Sequence, residues 1–349
     1  MKLESLKDKS VEWLKGGPDG DVVVSSQVSL VRNVEGFPFT SHCSSMQRAR
    51  VEELLRNVIT ASAVQSDLNY FHLNELGSLM LELMVERRLV TEQLAEAEWE
   101  RAVAFDSEER VSLMVNELDH LRFRVVRGGF QLQEACRQAE RLDEELAEEI
   151  PFAFSERYGY LTARPTEVGT GMRASVMLHL PAVVMSQEMD NVVQELEEEG
   201  LALQGLYGEG SHGVGDFYQV CNRVTLGVTE EEIVATVGEG ARRLMERERS
   251  VRATLHEQHP ARFRERIQKA YELARSSGQI SSEEALNFLS QVRLGSVMNV
   301  LPGTPPGELN GLFLLTLPAH LQTMEGAELD TIVRNERRAS YLRKRLRTG

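Results

Sequence analysis

Tyr160–Pro181, YLTARPTEVGTGMRASVMLHLP, places two glycines and an arginine, Gly169, Gly171 and Arg173, between two β-prone runs. Glycine-released backbone amides and one guanidinium at such a turn can face a phosphate or another anion, although most Gly-x-Gly turns between strands only reverse the chain. Upstream, Val111 to Val126 reads as a strand. Leu132, Ala135, Ala139, Leu142 and Leu146 then mark an amphipathic helix with an acidic outer face. Downstream come a helix at about Gln187 to Glu199, the apolar Leu201-Ala202-Leu203, an LYGEG turn at Leu206–Gly210 and a strand at Phe217 to Leu226. Thr229 and Glu232 form a Ser/Thr-x-x-Glu capping box that opens a helix reaching about Arg247.

Nearer the N-terminus, a short helix around Val11–Leu14 is stopped by Gly16-Gly17-Pro18-Asp19-Gly20. Val22 to Arg32 then reads as a half-buried strand, and Ser45 to about Glu100 is helical in pattern, with Leu54, Leu55, Val58 and Ile59 on one stripe. Beyond Ser250 the pattern is almost wholly helical. Ala261 to Ala274 is one helix, Ser281 and Glu284 cap another, and a basic helix spans Arg334 to Arg347. Runs of strands with interspersed helices, without regular βαβ alternation, predict an α+β fold with a mostly antiparallel sheet.

The 349 residues are 42% hydrophobic, ample for one large or two smaller domains. A formal charge of -15 argues against a general nucleic-acid binder. No apolar run approaches the ~18 residues needed to span a bilayer, and charges lie where a signal peptide would have its apolar core, so a cytoplasmic protein is expected. The three cysteines, widely spaced without CxxC, suggest neither a disulfide framework nor a zinc site. His179 reads as a satisfied core histidine, Tyr207 as turn packing, and Glu197-Glu198-Glu199 as a solvated helix end.

Asp21–Asn33 (DVVVSSQVSLVRN), Val115–Arg122 (VNELDHLR), Leu206–Gly210 and Leu317–Gln322 (LPAHLQ) lie in an order that, with the opening stretch, resembles the ATP:guanidino phosphotransferases. The closest likeness is to the bacterial protein-arginine kinase (McsB) branch. That resemblance covers nearly the whole chain. It implies a catalytic domain over about 1–252, followed by a helical dimerisation and phosphoarginine-binding domain over 253–349.

Phosphoryl transfer to a guanidinium needs cations that hold the triphosphate in line, with Mg²⁺, and a carboxylate that orients the guanidinium and takes its proton. The resemblance assigns ATP contacts to Arg32, Arg88, Arg122 and Arg173, and leaves Glu117 and Asp119 as the catalytic carboxylates. The family pattern is nonetheless eroded here. Its SSRxRxxR strand is Ser25-Ser26-Gln27-Val28-Ser29-Leu30-Val31-Arg32, an arginine before its GLYGEG is Gln204, and Arg88 stands at a histidine position. The second glutamate of NEEDHLR, the one that contacts the guanidinium, is Leu118. Arg164 stands where a reactive cysteine is common, and Glu167 replaces an asparagine.

Near the C-terminus, Arg334-Asn335-Glu336-Arg337-Arg338-Ala339 is similar to the RDxxRA phosphoarginine motif of protein-arginine kinases, with Asn335 for aspartate. Arg334 and Arg338 would fork the phosphate. The expected function is therefore a degenerate protein-arginine kinase, a pseudokinase with a regulatory or phosphoarginine-binding role. The alternative is an active ATP-dependent protein-arginine kinase with a rearranged site. Expected partners are protein substrates or arginine-phosphorylated proteins, and a second copy or an active paralogue in a dimer.

Overall fold

The computed structural model describes residues 3, 6, 11–61, 67–205, 213–301 and 305–346. The LYGEG turn, including Tyr207, lies outside them. In chain order the first half runs β1 (Val23–Arg32), α1 (Ser45–Ala61), β2 (Asn69–His72), α2 (Ser78–Glu86), α3 (Glu92–Glu96), β3 (Ala102–Phe105), β4 (Val111–Val115), β5 (Leu121–Gly128) and α4 (Leu132–Glu149). It continues with β6 (Phe154–Ser155), β7 (Gly159–Tyr160), β8 (Met172–His179), α5 (Pro181–Met185), α6 (Met189–Glu198), β9 (Leu201–Gly205) and β10 (Phe217–Asn222). Helices complete the chain: α7 (Glu230–Gln258), α8 (Pro260–Ser276), α9 (Ser282–Val297), α10 (Pro306–Leu315), α11 (Pro318–Glu325) and α12 (Thr331–Arg345).

Eight strands form one antiparallel sheet in the order β2-β3-β4-β5-β1-β8-β10-β9. The α+β reading holds. One face of the sheet is apolar and packs under α1, α4 and α7, with Leu55, Ala139, Leu142 and Val237 fully or almost fully buried against Leu113, Phe123 and Val176. The other face is covered at both ends. Leu83, Met84 and Leu89 close it over Val103, Phe105 and Met114. Trp13, Leu286, Leu309 and Phe313 close it over Val24, Met177 and Phe217. The C-terminal helices therefore share a core with the sheet.

The structure corrects several expectations. Val111 to Val126 is two strands, because Asn116 adopts φ 58° and its amide donates to the His120 carbonyl at 2.9 Å, reversing the chain. Asparagine is among the residues that accept this left-handed conformation. Two strands, β2 and β3, interrupt the region read as helical or left unassigned before Val111; β3 is short and buried on both faces, so it carries no alternation to read. The capping boxes at Thr229/Glu232 and Ser281/Glu284 are both formed, but α7 continues eleven residues beyond Arg247, to Gln258.

The glycines of the opening stretch also have a different purpose from an anion nest. A Cβ on Gly169 would lie 2.2 Å from the Thr225 carbonyl, and one on Gly171 2.7 Å from the Val31 carbonyl. Both sit at positive φ, +115° and +62°. Glycine is required there so that backbones can approach. The amides of Gly169, Thr170 and Met172 are all taken, by Tyr160 O, Thr225 O and Thr170 Oγ1.

Candidate active site

Between the two covered ends of the second face lies a cavity of about 1500 Å³. Its floor is made by alternate residues of the sheet, because period-two side chains share a face: Gln27 on β1, Arg122 and Arg124 on β5, Arg173 on β8, Gln204 on β9 and Gln219 on β10. Arg88 and Thr91 enter from the turn after α2, and Arg164 and Glu167 from the segment before β8.

Glu117 lies in the β4–β5 turn, 2% exposed. It accepts from Thr91 Oγ1 at 2.5 Å and from Arg122 Nε at 2.8 Å. The other edge of Arg122 meets Glu167, Nη2 to Oε2 at 3.0 Å with two further contacts of 3.2 Å to Oε1. One guanidinium thus sits between two carboxylates, which raise its pKa against the opposing effect of burial. Glu167 was noted in the sequence only as a departure from the family pattern, and this position facing Arg122 was not foreseen.

Leu118, where the resemblance leads one to look for the second glutamate, does not line the cavity. Asp119 does not line it either. Its Oδ1 accepts from Asn33 Nδ2 and from the Ala163 amide, both at 2.6 Å, while Oδ2 is buried without a partner and burial raises its pKa. In this arrangement Asp119 positions the strand of chain leading to Glu167. The neighbouring His120 accepts from the Val34 amide through Nδ1 (3.0 Å) and donates from Nε2 to Pro38 O (2.8 Å), and burial brings its pKa down to about 4.

The four arginines expected at a nucleotide diverge. Arg88 lines the cavity from a left-handed backbone position, φ 61°, strain of the kind that collects at functional sites. Arg122 and Arg173 line it too, the latter donating to Cys221 Sγ at 3.2 Å. Arg32 does not reach it. Only 1% exposed, it pairs with Asp143 at 2.6 Å, donates to Val31 O and Thr170 O, and lies 3.5 Å from the Tyr160 ring centroid. Its partner is 111 positions away, which no local pattern reveals. Conversely, Arg124 was overlooked, although Arg122-Phe123-Arg124 puts two arginines on one face of a strand.

At the far end of the chain, Arg338 is fully buried, donating to Thr316 O (2.7 Å), Ile280 O (2.9 Å) and Asn335 Oδ1 (2.7 Å), with Nη2 buried and unpartnered. Arg334 is half-buried beside it and lowers its pKa, which burial chiefly brings down to about 10. His179 is a satisfied core residue, between Ser290 Oγ at 2.9 Å and Arg293 at 2.8 Å. Among the described residues no helix is long and apolar enough to cross a membrane.

Residues 50–251 match the family model of the ATP:guanido phosphotransferase C-terminal catalytic domain, and residues 260–349 that of the protein-arginine kinase McsB C-terminal domain. The chain belongs to the ATP:guanidino phosphotransferase family. Within it, the likeness is to proteins named protein-arginine kinase: 38% identity over 350 residues to that of Halothermothrix orenii, covering 99% of each chain, and 39% over 338 residues to that of Symbiobacterium thermophilum, covering 96% of each. Among solved structures, lombricine kinase has the same fold (TM-score 0.62, 21% identity, 71% of each chain), as does a duplicated taurocyamine kinase from Schistosoma mansoni (TM-score 0.61, 24% identity, 66% of this chain and 33% of that one).

Proposed function

We propose that this protein-arginine kinase relative binds nucleotide phosphates in the sheet cavity but transfers phosphate poorly, and acts as a regulatory pseudokinase. The observation that carries this reading is the Glu117–Arg122–Glu167 cluster beside Leu118. Arg122 is neutralised twice over, so a triphosphate must compete with two carboxylates for it. Leucine cannot accept a proton. A positioned base contributes typically ~10²–10⁴ in rate, and each charge-stabilising donor on the order of 10²–10³.

The cavity's own residues fit a polyphosphate. Arg88, Arg124 and Arg173 line it, and Arg124 Nε is buried without a partner. Among the described residues no three His, Cys, Asp or Glu side chains are grouped to hold a metal. Mg²⁺ would arrive on the nucleotide, held mainly by phosphate oxygens and water, and would supply charge neutralisation. The regulatory role falls to the C-terminal helices, where the partly exposed Arg334 would receive the phosphate of an arginine-phosphorylated protein, with the expected second arginine, Arg338, buried beneath it as a support, and where a second copy or an active paralogue would pair.

The test is transfer of labelled phosphate from Mg-ATP to an arginine-rich protein, quenched without acid, for the parent and for Leu118→Glu. Little or no transfer by the parent is expected, and robust transfer would refute the reading. One observation favours the alternative of an active kinase: Glu167 brings a carboxylate into the cavity that the family pattern does not have. On that reading the parent is active and Glu167→Gln is not.

A further inference from the structure

Strand register aligns Ser112, Arg124, Ser29 and Arg173 in a single row across β4, β5, β1 and β8. Three buried atoms in this row have no hydrogen-bond partner among the described residues: Ser112 Oγ, Arg124 Nε and Ser29 Oγ. The two arginines flank Ser29 and both line the cavity. Among the described residues no ion pair compensates Arg124. Burial, with the like charge of Arg88 beside it, draws its guanidinium down to about 9, and Glu109, the acid acting against this, is itself paired with Arg87.

Buried polar atoms are rarely left unpaired, and a buried charge without a counter-charge is unfavourable. Two guanidiniums on the strands either side of a hydroxyl-bearing one, both at the wall of an open cavity, complement an anion with several acceptor oxygens. A phosphate group has oxygens enough to serve both arginines. Ser29 also stands where the family pattern has an arginine, so the charge missing from β1 reappears on the neighbouring strand at the position directly facing it.

We infer that Arg124 grips a phosphate group of the bound polyphosphate together with Arg173, taking over across the strand pair from the arginine that position 29 lacks. This rests on the reading of the cavity as a polyphosphate site, though not on whether phosphate is transferred.

Calorimetric titration of the full chain with Mg-ATP, and separately with inorganic tripolyphosphate, tests it. Arg124→Met should weaken both about 100-fold, the loss of a charge-assisted hydrogen-bonding group. The exchange variant Ser29→Arg/Arg124→Ser should recover to within about tenfold of the parent, which no merely structural role of Arg124 would produce. Equal binding by Arg124→Met, no binding of either ligand by the parent, or a folded exchange variant that does not recover overturns the inference. So does a variant Arg124→Met that unfolds, since that would make Arg124 a structural staple. Arg124-dependent binding of tripolyphosphate without Mg-ATP supports the inference and assigns the site to a free polyphosphate. Robust phosphotransfer by the parent would remove the pseudokinase reading and leave this one standing.

Discussion

Arginines are buried in two parts of this molecule with opposite outcomes. Where the C-terminal helices meet the sheet, Arg87, Arg252 and Arg293 are matched. Arg87 pairs with Glu109, Arg252 with Glu248 at 2.6 Å, and Arg293 reaches Asn310 Oδ1, His179 Nδ1, Gly20 O and Asp21 O at 2.7–3.1 Å. In the cavity, Arg122 has two carboxylates and Arg124, two residues along the same strand, has none among the described residues. A matched guanidinium is a fastener, and an unmatched one at a cavity wall is a receptor.

The sharpest way to break that contrast is to treat the two kinds alike. Arg87→Met would strand the buried Glu109 carboxylate and should cost about 3–5 kcal/mol in denaturant unfolding. A loss no larger than that of Arg124→Met would abolish the distinction. The second test uses protons. His120, held neutral by burial with its pKa at about 4, titrates near its ordinary value of 6.5 once unfolded. The unfolded chain therefore binds more protons between these values, and stability falls as pH drops from 6.5 towards 4, by about 3 kcal/mol. His179, lowered in the same sense by burial and by Arg293 and Arg252, adds to the slope. Unfolding at a series of pH values, compared with His120→Asn, should show a shallower slope in the variant. The smallest effect belongs to the cavity. Glu167→Asn removes one of the two carboxylates on Arg122 and should tighten Mg-ATP about tenfold, about 1.4 kcal/mol, by calorimetry. Unchanged affinity would mean that Glu167 does not compete with phosphate.

These outcomes depend on features that differ in how openly the sequence displays them. Caps are local, so Thr229/Glu232 and Ser281/Glu284 could be read directly. β1 was legible as a strand but not as the half-buried one expected, because it lies mid-sheet with nine of its ten residues buried and only Gln27 partly open. By contrast, β3 has four buried residues and no periodicity, and the β4–β5 reversal turns on one asparagine at positive φ. The site divides the same way. Glu117, Arg122 and Arg173 are in the cavity where their motifs place them, whereas Arg32 is claimed by Asp143 and Asp119 by Asn33 and Ala163. Such pairings are made by the closing of the sheet, between positions up to 111 residues apart. The facing of Ser29 and Arg124 is of that type. An arginine lost from one strand and another present on the next become one fact only when register is known.

The helix α7 has a mechanical consequence. At 1.5 Å per residue its 29 residues make a strut about 43 Å long, running from beside the sheet to the turn into α8. About two thirds of the way along, Glu248 accepts from the amides of Ala182 and Val183 at 3.0–3.1 Å and from Arg252, which pins the strut to the chain leaving β8. The helix that leads into the C-terminal region is thereby tied, at one buried carboxylate, to the chain leaving the strand that carries Arg173.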